Sequence, residues 1–136
     1  MVPSHHTADE NLVDERELAK AIRLGSARRP QCFGSYFDER GGSCALGAAY
    51  DGMYELPRQA REPGEIVPRH LERLFHCLED IVKRCPEKAE ADVSCRKRLP
   101  LGAMIVHLND DHSWTRERIA EWLWHGAPGP AGATRP

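Results

Sequence analysis

The sequence predicts a mainly α-helical fold, a small single-domain bundle of four to five helices with a short β or irregular segment near residues 30–40. Two observations predict it. Apolar residues recur at helical spacing in several stretches, and helix-capping residues lie at the ends of those stretches. The length of 136 residues corresponds to one domain, since a domain has roughly 150 residues. We expect a single domain at 12–125 between disordered tails at 1–11 and 126–136.

The first two predicted helices are defined mainly by their ends. The first begins at Asp14, which has capping-box spacing to Glu17, and it ends at Gly25. The second covers residues 44–51 and follows Ser43, a good N-cap. Its side chains are mostly small and let another backbone approach closely, so we expect this helix to be buried on more than one side.

A third helix is predicted from Pro68, which suits the first helical position, up to the Cys85-Pro86 dipeptide. It ends there because the residue before a proline avoids the helical region. A stripe with 3.6-residue spacing forms its inner face. The stripe consists of Leu71, Leu74, Phe75, Leu78, Ile81 and Val82. The segments 53–68 and 86–100 on either side are predicted to be loops, the first because of its prolines and the second because of its charge.

The stretch 101–124 carries all three tryptophans and predicts two short helices joined by a turn at residues 109–111. Residues 101–108 have helical spacing, although the sequence AMIVHL would also suit a strand. Ser113 or Thr115 caps the last helix, and Gly126 ends it. The inner face of that helix consists of Ile119, Ala120 and Leu123.

Charge and cysteine content narrow the class of protein. The formal net charge is -2 and the pI about 6.4, whereas nucleic-acid-binding domains often have a pI above about 9. The N-terminus lacks the apolar core of a secretory signal, and no apolar run is long enough to cross a membrane, so we expect a cytoplasmic protein without a membrane partner. In a reducing compartment the five cysteines are thiols or metal ligands rather than disulfides.

One hypothesis for the cysteines is a zinc site near the third helix. Cys85 and Cys95 flank a charged segment, with Cys77 and His76 close by in sequence, and these residues are our candidate ligands. Other histidines within reach are His70, His107 and His112. Structural zinc sites usually combine two close pairs such as C-x2–4-C, a spacing that these residues lack. The alternatives are a packed Cys77 with two loop thiols, or a disulfide between Cys85 and Cys95.

A second hypothesis is a thiol-dependent enzyme with Cys44 as nucleophile. Cys44 lies in the first turn of a predicted helix, where the helix dipole lowers the pKa of a thiol. His107 or His112 would act as the base, oriented by Asn109 or Asp110 as in catalytic triads. The alternative is that Cys44 packs in the core, as most free cysteines do.

The leading hypothesis is a non-enzymatic interaction or accessory protein that binds a protein partner, or itself, through its last helix. We expect Trp114 to pack the turn against that helix. Trp122 and Trp124 are two residues apart and point to different faces, so we expect one of them to be exposed or covered by another chain. The alternative is that both pack on the surface of their own chain.

A DNA-associated regulator is a further alternative. The two predicted helices in 101–124 look like a helix-turn-helix, but no recognition helix follows them. One basic cluster is present in the sequence, and a solvated loop explains it better than nucleic-acid binding does. It consists of Lys83, Arg84, Lys88, Arg96, Lys97 and Arg98.

The stretches GGSCALGAAYDG and IVHLNDDHSWTRERIAEWL together resemble a group of small bacterial and phage-borne proteins. These proteins pair a CALGA helix with an HLND segment that continues to W-T-R-E-x-I-A-x-W. The group has no established activity, so the resemblance implies no catalytic residues. Some members hold a Cys-Pro-x-Cys pair near the position of Cys85, whereas the next cysteine in this chain is Cys95.

Overall fold

The computed structural model describes residues 8–56, 75–87 and 95–130. Within these residues the fold is mainly α-helical with a two-stranded sheet, which confirms the predicted class. The helices are α1 (Ala8–Ser26), α2 (Ala45–Tyr54), α3 (Cys77–Asp80), α4 (Leu101–Asp110) and α5 (Arg116–Trp124), and the strands are β1 (Val82–Arg84) and β2 (Arg98–Pro100). In the part of the chain described, no helix combines the length and apolarity needed to cross a membrane.

Helix α1 begins at Ala8, so the predicted start at Asp14 is wrong. The acidic residues Asp9 and Glu10 occupy its first turn, where their negative charges stabilise the helix by interacting with the positive end of its dipole. Asp14 instead lies inside α1, and its carboxylate accepts a hydrogen bond of 2.8 Å from the backbone N–H of Cys77. Residues 8–11 of the predicted tail therefore belong to a helix, and residues 1–7 lie outside the described part.

Helix α2 packs on α1 through direct backbone contact. A Cβ atom at Gly25 of α1 would collide with the carbonyl oxygen of Ala48, and one at Gly52 of α2 would collide with the carbonyl oxygen of Ala21. On the other side of α2, a Cβ at Gly47 would collide with the carbonyl oxygen of Tyr36. The prediction that this helix is buried on more than one side is confirmed.

The segment between α1 and α2 is irregular, as predicted for residues 30–40. Gln31 and Phe37 both form isolated bridges with Ser43. The N-cap of α2 is Cys44, whose Sγ accepts the N–H of Gly47 at 3.4 Å, whereas the sequence predicts Ser43. The Ser43 hydroxyl is instead committed to another partner, because it accepts a hydrogen bond from the Arg116 guanidinium at 2.9 Å.

A buried ion pair joins the end of α1 to α2. The Asp51 carboxylate is fully buried, and each of its oxygens lies 2.8 Å from the Nε of an arginine, Arg28 or Arg29. One oxygen also accepts the backbone N–H of Leu56 at 2.9 Å. The side chain of Arg29 is 3% exposed, so Asp51 compensates a positive charge that water does not reach.

The third predicted helix is wrong at its C-terminal end. Ile81 leaves the helical region with φ −118° and ψ 129°, and Val82–Arg84 forms strand β1. This strand pairs antiparallel with β2, with Arg84 opposite Arg98. Two consecutive β-branched residues at 81 and 82 favour the extended conformation over a helix. The predicted start at Pro68 lies outside the described residues.

The two C-terminal helices confirm the predicted pair, but α4 extends to Asp110, so the predicted turn at residues 109–111 is wrong for its first two residues. Residues 101–108 are helical, and the Thr115 hydroxyl caps α5 by accepting the N–H of Arg118 at 3.0 Å. Ile119, Ala120 and Leu123 are buried as predicted. Residues 126–130, however, are not a free tail, because Ala127 is buried and the indole N–H of Trp122 donates to the carbonyl of Pro128. Residues 131–136 lie outside the described part.

Candidate metal centre

Four potential metal ligands converge where the sheet meets α4. They are Cys85, Cys95, His107 and His112, and their ligand atoms all lie within 4.8 Å of one another. Cys85 follows β1 and Cys95 precedes β2, so the antiparallel pairing brings the two thiols together. A backbone hydrogen bond of 2.9 Å from Cys85 to Lys97 extends that pairing by one step. This group of side chains could hold a metal ion.

The histidines reach the thiols because α4 ends between them. The carbonyl of His107 accepts the N–H of Asp111 at 2.8 Å and that of His112 at 3.3 Å, so the chain turns tightly after α4. Ser113 then adopts a left-handed conformation, with φ 55°. As a result the His112 ring returns to the His107 ring, with ring centroids 4.6 Å apart and an interplanar angle of 86°.

Three of the six distances between the ligand atoms are close to those around one four-coordinate ion. Cys95 Sγ lies 3.3 Å from His107 Nε2, Cys85 Sγ lies 3.5 Å from His112 Nε2, and the two Nε2 atoms are 3.1 Å apart. Zinc–nitrogen bonds of about 2.05 Å and zinc–sulfur bonds of about 2.3 Å give tetrahedron edges of about 3.3 Å for N···N and about 3.6 Å for S···N. The observed separations are therefore close to those of a tetrahedron around a single centre.

Asp111 orients the His107 ring so that Nε2 faces the other ligand atoms. Its Nδ1 lies 2.7 Å from Asp111 Oδ2. A carboxylate at this nitrogen accepts an N–H, so the lone pair of the neutral ring is on Nε2, which faces the other three ligand atoms. The side chain of His107 is 6% exposed, and that of Asp111 is 63% exposed. The pair thus connects the buried ligand to the surface.

Burial controls the charge of the Cys85 thiol. It raises the pKa of Cys85 to about 11; the backbone N–H of Glu87 acts against this increase, and the neighbouring Cys95 adds to it. Without a metal the Cys85 side chain is therefore a neutral thiol at physiological pH. A bound cation would reverse this preference, because metals bind the thiolate and displace its proton.

Two residues between the histidines connect the centre to the irregular segment after α1. Asn109 is fully buried; its amide donates to the carbonyl of Cys32, and its oxygen accepts from Gln31 at 2.8 Å and from the N–H of Ala45 at 3.2 Å. Asp110 accepts the backbone N–H of Gly34 at 3.0 Å. Hydrogen bonds to residues 31–34 and to Ala45 therefore fix the position of the turn at the end of α4.

The predicted ligand set overlaps the observed cluster at Cys85 and Cys95. Cys77 and His76 are outside the cluster. Cys77 is fully buried at the start of α3, and burial raises the pKa of its thiol, whereas His76 is exposed on the surface. The other two members of the cluster are His107 and His112. The sequence predicted them mainly as catalytic bases, because no spacing rule pairs them with these cysteines.

Cys44, the candidate nucleophile, lies in the core. Its Sγ accepts the N–H of Gly47, and burial raises the pKa of the thiol, against the lowering that this hydrogen bond provides. The imidazoles of His107 and His112 contact Cys95 and Cys85 instead. Within the described residues, the predicted pairing of Cys44 with a histidine base is therefore not formed.

None of the three tryptophans is exposed. Trp114 is buried; its indole N–H donates to the Glu87 carboxylate at 2.7 Å, and the Arg118 guanidinium lies 3.7 Å from its ring centroid. Trp122 is buried, and Trp124 is half-buried beneath the guanidinium of Arg16. Their own chain covers Trp114 and Trp122 and partly covers Trp124, as in the alternative to an exposed tryptophan. Trp114 also anchors the residues after Cys85 to the start of α5.

Comparisons of the chain with protein-family models, with curated proteins and with solved structures find no match.

Proposed function

We propose that this chain is a small non-enzymatic accessory protein whose fold is stabilised by one structural zinc ion. Cys85, Cys95, His107 and His112 would bind the ion. The convergence of four Cys and His ligand atoms from separate parts of the chain is the observation that supports this proposal. A site with four protein ligands is closed and is typical of structural zinc, whereas catalytic zinc keeps one position open for water or substrate.

The ligand types favour zinc over other metals. Two thiolates and two imidazoles in a tetrahedron suit zinc, while calcium and magnesium prefer oxygen ligands and more of them. The ion would bind β1, β2 and the end of α4 to one another across the gap in sequence between residues 85 and 107. The resemblance to small bacterial and phage-borne proteins and the cytoplasmic location are compatible with such a role and stay predictions.

The purified protein should contain one zinc ion per chain by elemental analysis. Cobalt(II) added to metal-free protein should produce the visible absorption of a tetrahedral, thiolate-bound ion, because cobalt takes the same geometry. The variants Cys85→Ser and His112→Asn should lose the bound metal and this spectrum. Cys32→Ser and His125→Asn should retain both, since these residues are outside the cluster. Zinc-free protein that cannot be reconstituted, or undiminished binding in Cys85→Ser, would refute the proposal.

Asp111→Asn should weaken zinc binding by roughly 10-fold to 100-fold, since carboxylates that orient a metal-bound histidine contribute this much. Competition with a chromophoric chelator measures the affinity. Asp111→Glu should restore part of it. The matched control is Glu121→Gln, which removes a carboxylate 2.9 Å from His125 at the same helical spacing but away from the metal centre. If Asp111→Asn and Glu121→Gln have equal effects, Asp111 does not position His107.

A further inference from the structure

The lysines and arginines of this chain are unevenly compensated. Most of those in the described residues contact a carboxylate, a backbone carbonyl or an aromatic ring. In the described residues, the side chains that make no such contact belong to Arg40, Arg84, Arg96, Lys97 and Arg98. All of these except Arg40 lie in or next to the two-stranded sheet. We call residues 82–84 and 95–100 the basic hairpin.

The fold itself does not account for this concentration of charge. Arg84 lies directly opposite Arg98 in the register of the sheet, and both are exposed. Like charges directly opposite each other on antiparallel strands destabilise the pair. Arg96 and Lys97 are also exposed and add to the same positive end of the hairpin. An anionic partner would remove this repulsion.

We propose that the basic hairpin binds the phosphodiester backbone of nucleic acid. Three of its four uncompensated cations are arginines, whose planar guanidinium groups bind phosphate oxygens in pairs. The hairpin contains no aromatic residue on which a base could stack. Contacts confined to phosphates carry no sequence information, so the binding is independent of base sequence.

A nucleic acid fits this surface better than an acidic protein. Protein interfaces have an apolar core with a polar rim, and Val82 is the one large apolar side chain that the hairpin exposes. The net charge of -2 is a sum over the whole chain, whereas residues 82–100 contain six lysines and arginines and three acidic residues. The sequence-based expectation against a nucleic-acid partner relied on this total, on the lack of a recognition helix after residue 124 and on a solvated loop as the account of the basic cluster. A phosphate backbone, however, responds to the local charge.

The metal centre adjoins this surface directly. Arg84 precedes the ligand Cys85, and Arg96 follows the ligand Cys95. A bound ion would hold the two strands together at the Arg84–Arg98 end of the basic hairpin, and only this link depends on the proposed zinc site. The four exposed cations of the basic hairpin are present whether or not a metal ion binds.

The test is fluorescence anisotropy with a labelled DNA duplex of random sequence, titrated with zinc-loaded protein at increasing salt concentration. The slope of log K against log salt is about −0.9 for each phosphate contact, so four contacts give about −3.6. The affinity should then fall about 100-fold from about 50 to about 200 mM salt. The double variant Arg84→Gln with Arg98→Gln should reduce the steepness of the slope by about 2.

The matched control is Arg40→Gln, which removes an exposed and equally uncompensated cation outside the hairpin. It should leave the slope and affinity unchanged.

The double variant relieves the repulsion between the strands, so its melting temperature should not fall. Arg96→Gln with Lys97→Gln provides a second variant. Absence of binding at low salt, or an equal loss with Arg40→Gln, would overturn the proposal. Displacement of the duplex by polyglutamate at an equal concentration of charges would overturn it in favour of an acidic protein partner.

Elemental analysis of the same samples separates the two proposals. Zinc-loaded protein that does not bind the duplex would overturn nucleic-acid binding and leave the zinc site intact. Protein that never contains zinc but binds the duplex with the expected salt dependence would support the basic hairpin and overturn the zinc site.

Discussion

Removing the proposed zinc ion with a strong chelator should reduce the free energy of unfolding by about 5 kcal/mol or more. Structural zinc contributes about 10–16 kcal/mol of apparent binding energy in zinc-finger peptides, which equals or exceeds the total stability of a typical domain. This chain should lose less than that, because the packing of α1 on α2 and α5 needs no ligand from the metal centre. The expected result is a large decrease in melting temperature with much of the helix content retained.

Thermal unfolding followed by circular dichroism measures this effect, and tryptophan fluorescence reports the change near the site, since Trp114 binds Glu87 two residues after Cys85. The control is Cys85→Ser, whose melting temperature should be low from the start and should not respond to the chelator. Lowering the pH should imitate chelation, because protons compete with the metal for thiolate and imidazole. An unchanged melting temperature in the native protein would show that the ion is not structural.

Asp51→Asn should destabilise the protein by about 3–5 kcal/mol, the usual cost of breaking a buried ion pair by removing one partner. Asparagine keeps the shape of the side chain but removes the negative charge that lies 2.8 Å from Nε of the buried Arg29. The substitution also replaces one acceptor of Arg28 by an amide group. Urea unfolding of the zinc-loaded protein measures the difference in free energy.

The control for Asp51 is an ion pair of the same charges at the surface. Glu17 and Lys20 are both 58% exposed and 3.5 Å apart, and Glu17→Gln should change stability by no more than about 1 kcal/mol, as exposed pairs contribute little. If Asp51→Asn costs no more than Glu17→Gln, then the buried carboxylate does not compensate Arg29 and the pair contributes nothing measurable to the fold.

The sequence predicted the helices whose ends carry strong local signals. Thr115 as N-cap and Gly126 as terminator define α5, and small residues predicted the close packing of α2. The start of α1 was missed because Asp14 has the spacing of a capping box, yet its carboxylate binds Cys77 in a distant part of the chain. Local sequence does not reveal which of two backbone donors a carboxylate will accept from.

The metal centre was only half predictable for a similar reason. Cys85 and Cys95 were identified because they flank one segment, but their partners depend on how β1, β2 and α4 meet. The apolar stripe that predicted a helix up to Val82 concealed the strand that brings Cys85 to Cys95. Once that strand is known, the tight turn after α4 explains why His107 and His112 face the same point.

The five residues from His107 to Asp111 serve two neighbourhoods at once. His107 and Asp111 belong to the metal centre. Asn109 and Asp110 form hydrogen bonds with the backbone of the segment between α1 and α2 and of the first residue of α2. A helical turn is too stiff to move one set of side chains independently of the other. A movement of this turn on binding of the proposed ion would therefore be transmitted to Gly34 and Ala45 through their hydrogen bonds to Asp110 and Asn109.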